Sequence, residues 1–268
     1  MESKVKIEKI NENDYSRIFA ISDLHGQYDL FLKLLEKIDL KREDLLLILG
    51  DICDRGKKSY EIYMKCIKMT KLGYNLKFIL GNHEDMLLED LENDYPLNYE
   101  TEYSIYKNSK YFNEKNIEKW HNENFFTEIK WLVKWLKNCP LIIYGNENIF
   151  VHAGLDLSKN LENQERENVL WTREKFWIDR KNLLEEYKNK HIYFGHTPNM
   201  DGKISKKTDK IYNIDCGAFF THSLGCMEIK NKKLKKTDNG VVYFSIFLYL
   251  YLFLSSLNFF AILIFLCV

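Results

Sequence analysis

The sequence lacks a surplus of charge of either sign, and it lacks closely paired cysteines. Its 268 residues include 39 Lys and Arg against 39 Asp and Glu, so electrostatics gives no reason to expect nucleic acid as a partner. None of the six cysteines forms a Cys-x-x-Cys pair, which argues against a zinc knuckle or a disulfide framework and suits a reducing cytosol. The opening segment 1–14 is charged and polar, so we expect no signal peptide.

Charge is also missing from the last 28 residues, 241–268, which are mostly Phe, Leu, Ile, Val and Tyr. A helix of that length exceeds the ~20 residues that cross a bilayer. Five lysines between positions 230 and 236 precede it, and such lysines favour the cytoplasmic side. We predict a C-terminal apolar helix that could anchor a cytoplasmic domain, residues 1–238, to a membrane. A helix buried in an oligomer, or a tail foreign to the working protein, is the alternative.

The first third of the chain repeats a pattern of strand, polar loop and helix. Apolar runs at Arg17–Ser22, Leu45–Leu49 and Leu76–Leu80 are too short for helices and predict buried strands. Apolar residues at helical spacing predict helices from Tyr28 and over Ser59–Leu72. Parallel strands joined by helices end at one edge of a sheet, so we expect the polar loops to converge there.

The rest of the chain predicts a helical insert and a second group of strands. Residues 85–138 are rich in Asn, Glu, Lys and Tyr, and they end in a stretch with one apolar face. The predicted later strands, which we expect to form a second β region, are Leu141–Tyr144, Asn148–Val151, Ile192–Phe194, Lys210–Ile214 and Ser223–Ile229.

Five short strings combine carboxylate, imidazole or carboxamide groups with glycine. They are Asp23-Leu24-His25-Gly26, Gly50-Asp51-Ile52-Cys53-Asp54-Arg55-Gly56, Gly81-Asn82-His83-Glu84, Val151-His152-Ala153-Gly154 and Gly195-His196-Thr197. Each string alone is a weak signal. Five in this order, after short apolar strands, favour a site for two adjacent divalent metals over a chance set of turn and capping residues.

The six candidate metal ligands are Asp23, His25, Asp51, Asn82, His152 and His196. Imidazole beside carboxylate suits manganese, which is our first expectation, or iron or zinc, better than calcium. Two such ions ~3.5–4 Å apart can hold a bridging water as hydroxide and grip phosphate oxygens, so no covalent nucleophile is needed.

Three further side chains can act on a phosphoester beside these metals. His83 follows a candidate ligand and could protonate the leaving oxygen. Asp54 could orient that imidazole, and Arg55 offers a planar fork for phosphate oxygens. Hydrolysis of a phosphate ester is therefore the predicted chemistry.

With these strings the chain resembles the calcineurin-like metallophosphoesterases, and more narrowly the serine/threonine protein phosphatase branch that includes bacterial and phage enzymes. The resemblance runs from about Arg17 to about Lys235. It implies an α+β fold with αββα layers, a β-sandwich flanked by helices. It also implies that Asp23 and His25 bind the first metal, that Asp51 bridges, and that the second metal is held by the remaining three ligands.

The resemblance also implies a second phosphate-binding arginine between the last two histidine strings. Arg173, in Trp171-Thr172-Arg173-Glu174, lies in the right interval. A structural salt bridge is its alternative role, and Arg166 and Arg180 are weaker candidates. Two residues depart from the family pattern: Ser22 stands where glycine is usual, and Cys53 stands where valine is usual. The Cys53 side chain either packs in the core or is a point of oxidation.

The resemblance leaves more than one substrate open. The first hypothesis is a phosphatase for phosphoserine and phosphothreonine in proteins or for small phosphoesters, and the alternative is a symmetrical dinucleoside tetraphosphate hydrolase. Such hydrolases typically lack the aspartate before the arginine of the second string and carry Asp where Glu84 stands, so Asp54 and Glu84 favour the phosphatase. A membrane-tethered phosphate-binding scaffold is disfavoured, because His83, Asp54 and Arg55 are all present.

Overall fold

The computed structural model describes residues 4–93, 105, 123–179, 182–229 and 233–237. The strands are β1 (Ile7–Lys9), β2 (Ile18–Ile21), β3 (Leu45–Ile48), β4 (Asn75–Phe78), β5 (Ile142–Tyr144), β6 (Asn148–Val151), β7 (His191–Phe194), β8 (Ser205–Lys206), β9 (Ile211–Asn213), β10 (Leu224–Glu228) and β11 (Lys233–Thr237). The helices are α1 (Tyr28–Ile38), α2 (Ser59–Lys71), α3 (Asn82–Glu92), α4 (Glu123–Asn138), α5 (Arg166–Trp171), α6 (Lys175–Ile178), α7 (Glu185–Lys188) and α8 (Ala218–Thr221).

The early apolar runs form the parallel centre of a five-stranded sheet with the order β11-β10-β2-β3-β4. Strands β2, β3 and β4 run parallel, with Ile18 opposite Leu45 and Leu45 opposite Asn75. Every residue of β2 and β3 is buried, as expected for parallel strands covered on both faces. The carboxyl ends of these three strands therefore meet at one edge of the sheet.

The later strands form a six-stranded sheet with the order β1-β5-β6-β7-β9-β8. Strands β6, β7 and β9 run parallel, so β6 and β7 also end at a common edge. β5 pairs with β6 in antiparallel fashion through the turn that Gly145 begins, and Gly145 N donates to Asn148 O at 2.8 Å.

Alternate side chains along the strands point to opposite faces of the sheet and so belong to two separate hydrophobic clusters. Ala20 of β2 and Leu47 of β3 share one buried cluster with Phe150 and Tyr193 of the other sheet, so the two sheets pack face to face. Their neighbours on the opposite face, such as Phe19, pack with the helices. This arrangement confirms the predicted sandwich of two sheets flanked by helices.

The two helices of the first third begin where they were predicted, and α2 ends one residue before its predicted end at Leu72. α1 begins at Tyr28 and buries Phe31, Leu34 and Ile38, and its C-cap Asp39 takes the left-handed conformation that ends many helices. In α4, Trp135 packs edge-on against Phe78 at 4.4 Å between ring centroids, which supports a core role for this tryptophan.

One strand belongs to a different sheet from the one predicted. The segment Ser223–Ile229 was expected to extend the second β region, but β10 pairs antiparallel with β2, with Met227 opposite Ala20. Met227 lies in the cluster between the two sheets. The local apolar pattern fits either sheet, and only the long-range pairing with β2 decides between them.

The apolar segment 241–268 and most of the predicted insert between α3 and α4 lie outside the described residues. The C-terminal helix and its membrane attachment therefore stay predictions. Across the described part of the chain, no helix combines the length and the apolar character that a bilayer crossing requires.

Candidate metal centre

The first sheet delivers two carboxylates just beyond the ends of its strands. Asp23 follows β2 and Asp51 follows β3, and both are buried. Backbone hydrogen bonds join the two loops: Asp23 N donates to Gly50 O at 3.1 Å, and His25 N donates to Asp51 O at 2.9 Å. The adjacency of parallel strands thus brings side chains together that lie far apart in the sequence.

The third string forms the start of a helix. Gly81 is the N-cap of α3, and Asn82 and His83 are its first two residues. Glu84, the third residue, accepts a hydrogen bond from Gly81 N at 3.1 Å, which satisfies an amide that the helix cannot. Asn82 is buried, and its side chain belongs to the same cluster as the carboxylates.

The second sheet delivers two histidines in the same way. His152 follows β6, and His196 lies beyond β7 after Gly195. The backbone N of His196 donates to Asp23 Oδ2 at 2.9 Å, so the sheets are joined at the site itself. A side chain at position 195 would collide with Ser22 and Asp23, so only glycine permits this approach.

The candidate site concentrates unusual backbone geometry. Eight non-glycine residues among those described have positive φ, and six of these were predicted as site residues. The six are Asp23, His25, Asp51, Asp54, Arg55 and His196. Such conformations cost free energy, and they persist where the surrounding structure holds them in place, often at functional sites.

His25 directs an unprotonated nitrogen at a carboxylate. Its Nδ1 lies 2.8 Å from the Cys53 carbonyl oxygen, which can only accept, so Nδ1 carries the proton. Burial lowers the pKa of His25 to about 4, although the Asp51 charge opposes this, so the ring is neutral. Its Nε2 then faces Asp51 Oδ2 at 3.6 Å, lone pair to lone pair, an arrangement that suits a cation between them.

The carboxylates around His152 favour a positive charge at this position. Its Nδ1 lies 2.7 Å from Leu49 O, and its Nε2 lies 2.8 Å from Asn82 Oδ1 and 3.5 Å from Asp51 Oδ2. Burial alone would lower its pKa, but the carboxylates of Asp51 and Asp23 raise the pKa of His152 to about 10. The same imidazole holds the pKa of Asp51 below its usual range against the effect of burial.

His196 brings its Nδ1 into the cluster, 2.9 Å from Asn82 Oδ1. Burial lowers the pKa of His196 to about 3, although the Asp51 charge and a hydrogen bond with the Trp171 backbone oppose this, so the ring is neutral and one of its nitrogens carries a lone pair. The ligand atoms converge in two groups that share Asp51: one with His25 and His83, the other with His152 and His196.

Asp23 completes the cluster from the first sheet, and it accepts a hydrogen bond from the second. Its Oδ2 accepts from the Ser22 hydroxyl as well as from His196 N, so the serine that departs from the family pattern supports the carboxylate. Burial raises the pKa of Asp23 to about 6; the His152 imidazole opposes this and the Asp51 charge adds to it. Two buried carboxylates with converging imidazoles fit a pair of divalent cations.

His83, Asp54 and Arg55 lie together on one side of this cluster. His83 Nδ1 is 2.6 Å from Asp54 Oδ2, and its Nε2 is 4.0 Å from Asp51 Oδ2 and 3.4 Å from Arg55 Nη2. Burial lowers the pKa of His83, but the hydrogen bond to Asp54 and the nearby carboxylates raise it overall. The His83 imidazole can therefore carry a proton next to the candidate metal ligands.

Arg173 lies beside His196. Its Nη1 donates to His196 O at 3.3 Å. Arg166 instead pairs with Asp85 through both Nε and Nη2, which removes it as a phosphate ligand. Arg180 lies outside the described residues. Among the arginines with described contacts here, Arg173 is thus the one that remains a candidate beside Arg55.

Glu84 has a structural role that the sequence did not predict. Its buried carboxylate accepts hydrogen bonds from the backbone N of Asp51 at 2.8 Å, of Ile52 at 2.7 Å and of Cys53 at 3.1 Å. The Tyr63 hydroxyl donates to it at 3.0 Å. Glu84 thus holds the loop that carries Asp51; its place three residues after Gly81 signals its contact with Gly81 N, and not those with this loop.

Cys53 packs beneath the site and is poorly suited to oxidation. The side chain is fully buried. Burial, together with the carboxylates of Asp54, Glu84 and Asp51, raises the pKa of the thiol well above its usual value. Reaction with oxidants requires the thiolate, so this environment favours the core role over the oxidation point.

Comparison with known proteins identifies this set of strings. Residues 16–225 match the family described as calcineurin-like phosphoesterase. A symmetrical bis(5'-nucleosyl)-tetraphosphatase of Mannheimia succiniciproducens is 31% identical over 161 residues, which are 57% of this chain and 51% of that protein. The chain thus spans about half the length of this relative.

A second relative and a solved structure match over more of their length. Serine/threonine-protein phosphatase 2 of Salmonella typhimurium is 26% identical over 237 residues, which are 84% of this chain and 99% of that protein. A serine/threonine phosphatase structure from Saccharomyces cerevisiae, similar to human phosphatase PP5, superposes with a TM-score of 0.59 at 19% identity over 84% of this chain and 76% of that one. At this identity the superposition establishes the fold.

Proposed function

We propose that this chain, which belongs to the calcineurin-like phosphoesterase family, is a metal-dependent phosphatase that acts on phosphoserine and phosphothreonine in proteins. The observation that carries the proposal is the pair formed by His83 and Asp54, 2.6 Å apart, beside Arg55 and the metal-binding cluster. A proton donor fixed next to a phosphate-binding guanidinium is what cleavage of a phosphomonoester requires.

The roles proposed for the ligands are those that the family resemblance implies. Asp23 and His25 would hold one cation, and Asp51 would bridge to the second. The second would be held by Asn82, His152 and His196. Bound divalent cations supply Lewis acidity, which makes water acidic enough to act as a nucleophile at neutral pH. Manganese is the metal we propose, with iron or zinc as alternatives, because the set mixes imidazole with carboxylate.

The remaining residues would bind the phosphate and move a proton. Arg55, beside His83, and Arg173, beside His196, would bind the phosphate oxygens. The attacking water would release one proton to solvent; as its oxygen bonds to phosphorus, the bond to the serine or threonine oxygen breaks. His83 would donate its Nε2 proton to that oxygen and be reprotonated from solvent. Asp54 accepts a hydrogen bond from the Nδ1–H of His83, so it keeps the ring oriented and stabilises its protonated form.

Two residues support phosphomonoesters over dinucleotides. Asp54 accepts a hydrogen bond from His83, and Glu84 accepts one from the backbone N of Asp51. Both residues that distinguish the phosphatases therefore have a defined role in this site. The symmetrical dinucleoside tetraphosphate hydrolase is the second candidate, because a relative of that name is 31% identical over 57% of the chain.

The proposal extends to the organisation of the chain. Residues 1–238 would form the catalytic domain with the helical insert at about 85–138, and 241–268 would be a separate apolar segment. A cytoplasmic position for the domain and membrane attachment through that segment rest on the sequence pattern alone.

The test is a comparison of two substrates. The manganese-loaded protein is incubated with a phosphothreonine peptide or with a dinucleoside tetraphosphate, and release of phosphate or of nucleoside diphosphate is measured. We expect a higher kcat/KM for the peptide, and loss of activity on chelation and in His83→Ala. Faster cleavage of the dinucleotide would favour the second candidate, and no hydrolysis of either would contradict both.

A further inference from the structure

A short turn after the second sheet presents an exposed aromatic ring near the candidate site. Helix α8 is a single turn between Gly217 and His222, both of which are left-handed, with φ of 65° and 54°. Phe220, on this turn, is 50% exposed. Its ring lies edge-on to that of Phe219, with the ring centroids 5.3 Å apart.

The turn is anchored to the protein by buried polar groups. Asp215, which is almost fully buried, accepts from Gly217 N at 2.7 Å. The Thr221 hydroxyl lies 2.7 Å from the Cys216 carbonyl oxygen and 3.1 Å from that of Gly217. These contacts fix the backbone before and after Phe220, so the ring is held in place by the fold. They also give Asp215 a role in shaping this turn.

The ring of Phe220 lies against Arg55. The Arg55 Cζ is 5.3 Å from the ring centroid, within the ~6 Å range of a cation–π contact. Arg55 follows Asp54 on a loop in which both residues have positive φ, and its Nη2 is 3.4 Å from His83 Nε2. The ring is thus one of the contacts that hold the guanidinium of this long side chain in place.

We propose that Phe220 is a positioning residue that holds the Arg55 guanidinium beside His83 for binding of the substrate phosphate. The inference rests on the proposed function, in which Arg55 binds the phosphate. The ring acts through its π face, because that is the part of the side chain that attracts a cation. Its effect therefore depends on aromaticity more than on apolar bulk.

The test compares an aromatic with an aliphatic replacement. Phe220→Tyr keeps a π face, whereas Phe220→Leu keeps apolar bulk without one. Binding of inorganic phosphate to the manganese-loaded protein is measured by calorimetry, together with its inhibition of p-nitrophenyl phosphate hydrolysis. We expect Phe220→Leu to weaken phosphate binding about two- to fivefold, with the melting temperature unchanged, and Phe220→Tyr to bind phosphate as the parent protein does.

Two controls separate positioning from other roles. Leu72→Ala removes a side chain of equal exposure at the end of α2 and should leave phosphate binding unchanged. In an Arg55→Ala background, Phe220→Leu should have no further effect, because the partner of the ring is gone. A double-mutant cycle measures this coupling directly.

Other results would overturn the proposal. Unchanged phosphate binding in Phe220→Leu, or an equal loss with Arg55 already removed, would show that the ring does not act through Arg55. A change in KM for p-nitrophenyl phosphate alone would make Phe220 a contact for the leaving group instead. Because calorimetry requires no turnover, absence of hydrolysis with every phosphoester would count against the proposed function and leave this test intact.

Discussion

The two sheets supply the candidate metal centre in different ways. The five-stranded sheet supplies mainly oxygen, from Asp23, Asp51 and Asn82, and two of these residues have left-handed backbones. The six-stranded sheet supplies nitrogen, from His152 and His196, a residue or two beyond the ends of β6 and β7. On the nitrogen side His196 is also left-handed, so left-handed loop geometry serves both sides, and among these ligands only Asn82, at the start of a helix, and His152 lack it.

The supports of the two sides differ. On the oxygen side, the carboxylate of Glu84 collects the backbone N–H groups of the Asp51 loop. On the nitrogen side, the neutral amide of Asn213 donates to Thr197 O at 2.6 Å, next to His196. Hydrogen bonds to a buried charge contribute more than those to a neutral amide, so we expect the oxygen side to be more sensitive to substitution.

The largest expected effect separates catalysis from metal binding on the oxygen side. His83→Ala should lower turnover by roughly 10²–10⁴-fold, the usual range for a lost general acid, and leave metal content unchanged. Steady-state kinetics and metal analysis of the same preparation measure both. His191→Ala, at the start of β7, serves as a histidine control. Unchanged turnover in His83→Ala would remove this residue from the mechanism.

The next effect tests whether Asp51 joins the two sides. Asp51→Asn should weaken binding of both metals by about 10–100-fold or more, because both ligand groups contain this carboxylate. His196→Ala should weaken one metal only. Metal analysis after dialysis against a graded chelator distinguishes the two variants. Full occupancy by both metals in Asp51→Asn would contradict the bridging role.

A third prediction concerns the support of the oxygen side. Glu84→Gln should lower the free energy of unfolding by about 2–3 kcal/mol, because a buried charged acceptor is replaced by a neutral amide that also carries donors. Urea denaturation measures the change. The matched control is Glu92→Gln, where an exposed ion pair with Lys137 is lost and less than ~0.5 kcal/mol is expected. Equal midpoints for the two variants would refute the role of Glu84.

The smallest predicted effect concerns the support of the nitrogen side. Asn213 is buried, donates to Thr197 O and accepts from Asp215 N at 3.0 Å. Asn213→Ala should lower the free energy of unfolding by about 1–2 kcal/mol, less than Glu84→Gln. If urea denaturation shows a larger loss of unfolding free energy for Asn213→Ala than for Glu84→Gln, the nitrogen side is the more sensitive of the two.

The sequence predicted much of the fold because the buried strands of the first sheet are continuous apolar runs. The run Leu45–Leu49 predicted β3 to within one residue, and helical spacing predicted α1. The partner of β10 could not be predicted, since its pairing with β2 joins segments about 200 residues apart and the local pattern fits either sheet.

The convergence of the site residues was predictable, and their supports were less so. The six candidate ligands lie in recognisable strings that the fold brings together, and their metal binding stays a prediction. The contacts of Glu84 were not predictable, because the amides it binds belong to a loop some 30 residues earlier. The approach of Phe220 to Arg55 leaves no local pattern either, since it depends on where two distant turns meet.

The bond between His196 N and Asp23 places the junction of the two sheets at the candidate metal centre. Metal ions with ligands from both sheets would hold the two sheets together. Because they would bind the folded state and not the unfolded one, metal binding would raise the free energy of unfolding. At a metal concentration 100 times the dissociation constant, each ion would add ~2.7 kcal/mol of stability. The melting temperature of this protein should therefore rise with the concentration of free metal ion.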